Sequence, residues 1–233
     1  MYVYGKQVAL ELLKNNKKIE KVILYKNFDD KEILSMLKNR NIKPQFVDKN
    51  QLNSLVDGNH QGIIMVIEDY SYYSLDELLE SIQKPSPVLL ILDHLEDPHN
   101  FGAIIRTAEA GGIDGIIIPK DRSVQVNSTV VRISAGGTNY VPIVRVPNLN
   151  NAINKLKVDD YWIIGSDMDG TDYKTIDYNR PIALVVGNEG KGLSRLVRES
   201  CDYIVSIPMY GKINSLNASV ATGILIYEIT RNK

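Results

Sequence analysis

The chain has 233 residues, of which 44% are hydrophobic and 24% charged, and its formal net charge is −1 at neutral pH. These values are ordinary for a globular protein and argue weakly against a strongly basic nucleic-acid-binding domain. No apolar run reaches the roughly 18 residues of a membrane-spanning helix. The N-terminal residues also lack the basic and then apolar pattern of a secretory signal. We therefore expect a cytoplasmic protein without a membrane segment.

Cysteine and histidine are too sparse for the common structural metal sites. The single cysteine, Cys201, excludes an internal disulfide. The three histidines are too scattered for a convincing zinc cluster. We expect no bound metal ion.

Residues 1–70 combine short helical and β-rich patterns with a small excess of positive charge. Helices are predicted over 6–15, 30–40 and 49–56, and strands over 21–25, 44–47 and 62–67. Eleven lysines and arginines stand against nine aspartates and glutamates in this part. Such an excess fits either an RNA-binding surface or an ordinary solvated face, and charge alone does not separate the two.

A linker is predicted over residues 71–86, between two parts of different character. It contains Tyr72 and Tyr73 and ends at Pro85 and Ser86, directly before Pro87. Within it, Ser74 followed three residues later by Glu77 is typical of a capping box at the start of a short helix.

The second part, residues 87–233, predicts a parallel sheet. Strands are expected over 88–93, 113–119, 141–146, 161–166, 182–187 and 203–208, and helices over 99–110, 124–134, 148–157, 193–200 and 216–230. Several of these strands are continuous apolar runs, as expected when helices cover both faces of a sheet. Ligands of such sheets bind beyond the carboxyl ends of the strands, and three of those ends carry unusual residues.

The first of these stretches is DPHNFGAIIRTAEAGG, residues 97–112. Asp97 suits a helix N-cap, which places Asn100 in the first turn and Arg106 six residues on. On a regular helix these two side chains point about 120° apart, so they converge only if the turn is irregular or Arg106 reaches over. A capping asparagine and a surface arginine are the structural alternative.

The second stretch places three glycines among six residues, from Gly187 to Gly192, directly after a buried strand. Glycines let the backbone approach a ligand closely, and Glu189 lies between them. The spacing matches neither a phosphate-binding P-loop nor the dinucleotide fingerprint, which disfavours a Rossmann-type dehydrogenase. A tight turn with a solvated Glu189 is the alternative.

The third stretch brings Asn214, Ser215 and Asn217 to the start of the last helix, whose first turns are small residues. Simple capping by Asn214 or Ser215 explains one of the three but not all. Asp167, Asp169 and Asp172 lie close together in the sequence and could suggest a calcium site. The segment lacks the other ligand positions and the terminal Glu of a calcium-binding loop.

Taken in order, these stretches resemble the signature motifs of the SpoU-type RNA 2′-O-ribose methyltransferases, within the SPOUT (trefoil-knot) superfamily. DPHNFGAIIRTAEAGG resembles the first motif, ALVVGNEGKGLSRLVRESCD the second, and VSIPM with SLNASVATGI the third. VYGKQVALELL and NHQGIIM resemble the L30e-like substrate-binding domain of the branch that methylates a guanosine in 23S-type ribosomal RNA. The implied fold is α/β, a SPOUT-type parallel sheet with a C-terminal trefoil knot, preceded by a small L30e-like α/β domain over 1–70.

The resemblance implies S-adenosylmethionine as methyl donor, a ribose 2′-hydroxyl of ribosomal RNA as acceptor, and a homodimer formed through the knotted domain. By position it assigns catalytic roles to five residues: Asn100, Arg106, Glu189, Ser215 and Asn217. It assigns donor binding to the backbone around Gly187, Ile207 and Leu216. Two alternatives remain: a transfer-RNA ribose methyltransferase, and a non-catalytic RNA-binding or ribosome-assembly protein of the same fold.

Overall fold

Two β-sheets organise the chain in the computed structural model, which describes residues 1–231. The first sheet contains β1 (Tyr2–Tyr4), β2 (Ile19–Tyr25), β3 (Gln45–Val47) and β4 (Ile63–Ile67) in the order β1-β4-β2-β3. Three helices accompany it: α1 (Lys6–Lys14), α2 (Lys31–Asn39) and α3 (Lys49–Leu55). Only the β2–β3 pair is parallel. The predicted elements of residues 1–70 are present, and β1 is an addition.

Strand β1 was not predicted because three residues are too few to show an alternating pattern. It exists by pairing, since Tyr2, Val3 and Tyr4 form an antiparallel ladder with β4. An edge strand of this kind depends on its partner strand rather than on its own propensity.

The second sheet is entirely parallel, as predicted. Its strands are β5 (Val88–Leu92), β6 (Gly115–Pro119), β7 (Ile143–Val146), β8 (Trp162–Asp172), β9 (Ile182–Val186) and β10 (Tyr203–Ser206), in the order β10-β8-β9-β5-β6-β7. The helices are α4 (Leu75–Ser81), α5 (Pro98–Ala110), α6 (Ser128–Ile133), α7 (Leu149–Val158), α8 (Arg195–Glu199) and α9 (Ala218–Ile229). Residues 232 and 233, the end of the predicted second domain, lie outside the described part.

Helices cover both faces of this sheet, and the side chains of the central strands alternate between them. Leu90 packs into a core with residues of α5, α6 and α9. Leu89 and Ile91 pack into a second core with residues of α4, α7 and α8. Every residue of β5, β6 and β9 is buried, which is why these strands are apolar without alternation.

Strand β8 is longer than predicted. The sequence indicated an end at residue 166 and a loop containing three aspartates, but the strand continues to Asp172 because it pairs with β10. The register of that pairing shifts between Ile204 and Val205. Asp167 and Asp169 bind the guanidinium of Arg198 in α8. The acidic segment is therefore a paired strand end and not a metal loop.

The segment predicted as a linker packs against the second sheet. The Tyr73 amide donates to the Ile143 carbonyl at 3.0 Å, and Leu78 of α4 is fully buried. The capping box is confirmed, because the Ser74 amide donates to Glu77 and the Glu77 amide donates to the Ser74 hydroxyl. These bonds to Ser74 hold the pKa of Glu77 below its usual value.

The first sheet unit contacts the second through α1 and β1. The Tyr140 hydroxyl lies 2.9 Å from Asn15 Oδ1 and 3.1 Å from Glu11 Oε1, and the Arg132 guanidinium lies over the Tyr4 ring. Apolar side chains of both units belong to one core. No helix within residues 1–231 has the length and apolar character needed to cross a membrane. Threading of the C-terminal segment into a knot stays a prediction.

Two glycines inside helices should respond oppositely to the same substitution. A Cβ at Gly102 of α5 would lie 2.7 Å from Ile133 Cβ, whereas one at Gly223 of α9 would meet Thr107 Cγ2 at an ordinary 3.4 Å. We expect Gly102→Ala to lower the free energy of unfolding by about 1–3 kcal/mol through overpacking. Gly223→Ala should raise it by about 0.5–1 kcal/mol through reduced chain entropy. Equilibrium urea unfolding measures both, and shifts of the same sign would contradict this packing.

Candidate functional site

A cleft of about 740 Å³ lies at the carboxyl ends of β9 and β10, beside the middle of β8. Its walls come from three segments, at 166–168, 186–192 and 206–221. Parallel strands bring their carboxyl ends to one edge of the sheet, so segments distant in sequence meet there. The cleft thus occupies the place where the sequence predicted a ligand.

The glycine-rich loop forms one wall, and its shape requires glycine. Asn188 and Gly192 exchange two backbone hydrogen bonds of 3.1 and 2.9 Å, and Gly192 has a φ of +65°. A Cβ at Gly187 would lie 2.3 Å from the carbonyl carbon of Gly192. The Asn188 side chain donates to the His94 carbonyl and accepts from the Gly190 amide. The loop is therefore closed on itself and fixed to the end of β5.

The segment from Ile207 to Leu216 forms the opposite wall, and its backbone is free to bind a ligand. None of its amides or carbonyls hydrogen-bonds another residue between positions 1 and 231. Ile213 and Leu216 are exposed although apolar. Backbone donors and acceptors without a protein partner must be satisfied by water or by a ligand.

Two side-chain amides and a carboxylate join the three predicted motifs. The Asn217 Nδ2 group donates to Asn100 Oδ1 at 2.9 Å, and Asn100 Nδ2 donates to Glu189 Oε1 at 2.6 Å. Asn100 is only 9% exposed, so this bridge is largely shielded from water. Because an ionised carboxylate only accepts hydrogen bonds, the Asn100 amide is held in one orientation.

Both asparagines are fixed by helix caps. Asp97 accepts from the His99 and Asn100 amides at the start of α5, which places Asn100 in the first turn as predicted. Asn217 Oδ1 accepts from the Ser219 and Val220 amides and so caps α9. Capping by Asn214 or Ser215 was the alternative expected from sequence, and it was wrong. The residue that caps the helix is the same residue that reaches Asn100.

The structure gathers seven of the eight predicted site residues. Five of them line the cleft: Gly187, Glu189, Ile207, Ser215 and Leu216. Asn100 and Asn217 hold Glu189 through the hydrogen bonds described above. The hydroxyl of Ser215 is exposed and makes no hydrogen bond to another residue of the described chain.

Arg106 stands apart from this network. Helix α5 is regular from Pro98 to Ala110, so Asn100 faces the core while Arg106 is exposed. Within residues 1–231 its guanidinium has neither a hydrogen bond nor an ion pair. One chain therefore presents Arg106 as a free cation on the outer face of α5, without contact to Asn100.

Sequence reasoning missed Asp167 as part of the cleft wall. Asp167 lines the cleft while its carboxylate binds Arg198, and Asp169 binds the same guanidinium. Hydrogen bonding to Asp169 raises the pKa of Arg198 above its usual value. The acidic pattern was visible, but its arginine partner lies 29 or more positions away and no spacing rule connects them. The described residues contain no cluster of three or more side chains suited to a metal ion.

Comparison with protein families covers nearly the whole chain. Residues 87–227 match the model of the SpoU rRNA Methylase family, and residues 2–73 match a model described as RNA 2′-O ribose methyltransferase substrate binding. A Bacillus subtilis protein named for the TrmH family of tRNA/rRNA methyltransferases is 41% identical, over 100% of this chain and 96% of its own. A similarly named protein of Staphylococcus saprophyticus is 41% identical over 99% and 95%.

Solved structures with the same fold include enzymes holding AdoMet, S-adenosylmethionine. The SpoU methyltransferase AviRb of Streptomyces viridochromogenes, in complex with AdoMet, aligns with a TM-score of 0.84 at 25% identity, over 99% of this chain and 89% of its own. The AdoMet-bound rRNA methyltransferase of Sinorhizobium meliloti gives 0.82 at 27%, over 99% and 86%. The TrmH/SpoU tRNA modifying enzyme of A. aeolicus gives 0.57 at 34%, over 67% and 79%.

The hydrogen-bonded bridge makes a pH-dependent prediction for Asn100→Asp. This change replaces an amide donor by a carboxylate of the same shape, which would lie against Glu189. Adjacent carboxylates raise the pKa of one of the pair, so repulsion grows as the pH rises through that value and disappears below it. We expect amide hydrogen exchange at residues 187–192 to be about tenfold faster than in the wild type at neutral pH. The ratio should approach one in mild acid.

Mass-spectrometric exchange of both proteins provides the measurement. Asn151→Asp, at an exposed position of α7, serves as a matched control and should leave the loop unchanged. Wild-type protection of residues 187–192 in Asn100→Asp at neutral pH would show that the bridge does not hold the loop.

Proposed function

The chain belongs to the SpoU rRNA Methylase family, and we propose that it transfers a methyl group from S-adenosylmethionine to a ribose 2′-hydroxyl of RNA. One observation carries the proposal. Asn217, Asn100 and Glu189, from three separate motifs, form one hydrogen-bonded bridge beside a cleft with free backbone groups. Side-chain amides held in fixed orientations suit a reaction in which orientation supplies most of the acceleration.

The donor fits the cleft between the glycine-rich loop and the segment 207–216. Adenine offers ring acceptors and an amino donor, which complement the unpaired amides and carbonyls of that segment. The absence of side chains at Gly187 and Gly190 lets a ligand approach the loop backbone. We assign adenine recognition to the backbone near Gly187, Ile207 and Leu216. When bound, the donor supplies a methyl carbon on a sulfonium, already activated for displacement by a hydroxyl oxygen.

The chain's own residues then have to position the ribose. Asn100 and Asn217 hold each other and Glu189 in fixed orientations, so the rim of the cleft is preorganised before RNA binds. Ser215 presents a free hydroxyl at the mouth of the cleft, where it can hydrogen-bond the substrate. Preorganised groups need no rearrangement at the moment of reaction.

We assign Arg106 to the RNA phosphate next to the target ribose. Its guanidinium is exposed and lacks a protein partner within residues 1–231, and a planar guanidinium binds phosphate in a bidentate manner. A guanidinium stays protonated in proteins, so Arg106 cannot remove the hydroxyl proton. Its contribution is to hold the strand and to stabilise negative charge that develops on the ribose oxygen.

A guanosine of large-subunit ribosomal RNA is the substrate we propose. The front unit matches a substrate-binding family, and the similarity to the S. meliloti rRNA enzyme spans both units. The A. aeolicus tRNA enzyme matches only 67% of this chain. Transfer RNA is the second candidate, because the curated relatives are named for both RNA classes. A non-catalytic RNA-binding or assembly role is disfavoured by the complete bridge.

The front unit offers a limited basic surface for this RNA. Lys14, Lys18 and Lys26 are each paired with a carboxylate, which reduces the excess charge seen in the sequence. Lys17 and Lys21 are exposed and have no carboxylate partner in the described chain. Phosphate contacts of such lysines position RNA without reading its sequence.

Helix α9 supports a homodimer. It is apolar on nearly all sides, as in helices that are buried all round, yet Val220 and Tyr227 are exposed. Its small residues serve contacts within the chain, because Gly223 packs against Thr107 of α5 and Ala221 lines the cleft. We propose that a second copy covers the side that carries Val220 and Tyr227.

The experiment is to map 2′-O-methylated nucleotides in RNA from cells that lack the protein, with wild type or Arg106→Lys supplied back. We expect one guanosine of large-subunit ribosomal RNA to lose its methyl group and to regain it only with wild type. Purified Arg106→Lys should turn over about 100-fold more slowly, because lysine cannot make the bidentate contact. Calorimetry should give unchanged donor affinity.

Arg231→Lys, which alters an exposed arginine at the end of α9, is the matched control and should restore methylation fully. Loss of methylation only from transfer RNA would favour the second candidate. Near-normal turnover by Arg106→Lys, with unchanged RNA affinity, would remove Arg106 from the site.

A further inference from the structure

A second cavity, of about 430 Å³, opens at the carboxyl ends of β5, β6 and β7. Its apolar lining comes from Pro119, Pro147, Leu149, Leu196 and Val197. His94, Arg122 and Arg195 supply polar groups around it. Leu196 is 54% exposed, so part of this apolar lining is open to solvent.

This cavity is connected to the donor cleft around the glycine-rich loop. A smaller cavity of about 270 Å³ shares His94, Arg122 and Ser194 with it, and shares Asn188 and Lys191 with the donor cleft. The loop 187–192 therefore separates two adjoining depressions on one edge of the sheet. A strand that reaches the rim of the donor cleft can continue over the loop into the second cavity.

His94 is held there at a cost to the backbone. Its φ is +58°, a conformation uncommon for residues other than glycine. The Asp93 carboxylate, which is fully buried, lies 2.6 Å from His94 Nδ1 and also accepts from the Ser194 amide at 2.6 Å. The Asn188 side chain donates to the His94 carbonyl at 2.9 Å. Three elements thus fix one imidazole ring in place.

The contact with Asp93 also determines what His94 offers to a ligand. An ionised carboxylate only accepts hydrogen bonds, so the Asp93 contact holds a proton on Nδ1, and in the neutral form of the ring Nε2 is an acceptor. Nε2 makes no hydrogen bond to any residue of the described chain. Neither His94 nor Asp93 belongs to the bridge that orients Asn100 and Glu189. His94 is therefore a positioned imidazole beside the bridge and not a member of it.

We propose that this cavity is a subsite for a nucleotide that flanks the methylated one, an inference that rests on the proposed function. The flat apolar lining takes the base, and the His94 ring bonds its edge through Nε2. Arg122 and Arg195 are exposed and line the cavity together with Asp121, and we assign the two guanidinium groups to the phosphates on either side of that base. Arg195 forms an ion pair with Glu199 at 3.3 Å. Both side chains are exposed to solvent, so the pair is weak and a phosphate can replace Glu199.

The subsite gives the enzyme a way to read sequence beside its target. In single-stranded RNA, bases splayed out of the stack are recognised by stacking and by hydrogen bonds to their edges. A purine or pyrimidine edge with a donor group suits the Nε2 acceptor. Selection of one guanosine among many would then depend on the neighbouring base as well as on the target.

The test uses an oligoribonucleotide spanning the methylated nucleotide found by mapping, with abasic nucleotides placed in turn at each flanking position. We expect one flanking position at which loss of the base weakens wild-type binding about tenfold, the size typical of one stacked base. The substitution His94→Asn removes the imidazole ring, and asparagine tolerates the positive φ at this position. It should bind intact RNA about tenfold more weakly, lose no further affinity at that abasic position, and keep its donor affinity.

Arg195→Ala provides a second, surface variant in case His94→Asn fails to fold. It should weaken RNA binding and reduce its salt dependence, because one phosphate contact is lost. Lys155→Ala, at the far end of α7 from the cavity, removes a charge and should change neither quantity.

Wild-type RNA affinity in both His94→Asn and Arg195→Ala overturns the subsite. The subsite is also overturned if the loss of RNA affinity caused by His94→Asn and the loss caused by the abasic nucleotide multiply when the two are combined. The two changes would then act independently. Absence of any methylated nucleotide in the mapping experiment is a failure of the proposed function. Methylation that is indifferent to every flanking base contradicts the subsite alone.

Discussion

The bridge from Asn217 through Asn100 to Glu189 connects three segments that are distant from one another in the sequence. A hydrogen bond to a carboxylate contributes about 1.5–3 kcal/mol, and more is lost when a buried partner is left unsatisfied. Asn100 is the central member and is nearly buried, so its two bonds are shielded from water. The orientation of Glu189 within the glycine-rich loop, and hence the shape of that wall of the cleft, depends on this bridge.

The parallel sheet makes the bridge possible. Strands β5 and β9 are neighbours, so the start of α5 and the loop after β9 lie side by side. Strand β10 pairs with β8, so its carboxyl end lies at the same edge of the sheet. The start of α9, which follows β10 in the chain, therefore lies close to the other two motifs. Helix caps at Asp97 and Asn217 then set the two amides at fixed points. The site is thus built from elements that would be needed for folding in any case.

The sequence allowed the second sheet to be predicted well, because its buried strands are continuous apolar runs with helices between them. The resemblance of three motifs to a known family assigned eight site residues, and the structure brings seven of them together around the cleft. Features that depend on pairing between distant segments could not. Strand β1 and the second half of β8 exist through their partner strands, and Arg198 neutralises aspartates that look like metal ligands. Arg106 is a further example. Helical periodicity predicted that its side chain points away from Asn100, but it could not predict which group the guanidinium binds.

The most direct test of the central claim is a crystal structure with S-adenosylmethionine, supported by calorimetry. We predict that the donor lies between the glycine-rich loop and the segment 207–216, with its adenine bonded to backbone groups near Gly187, Ile207 and Leu216. The bridge should stay intact in that complex. A donor bound elsewhere on the chain, or no measurable binding, would contradict the account.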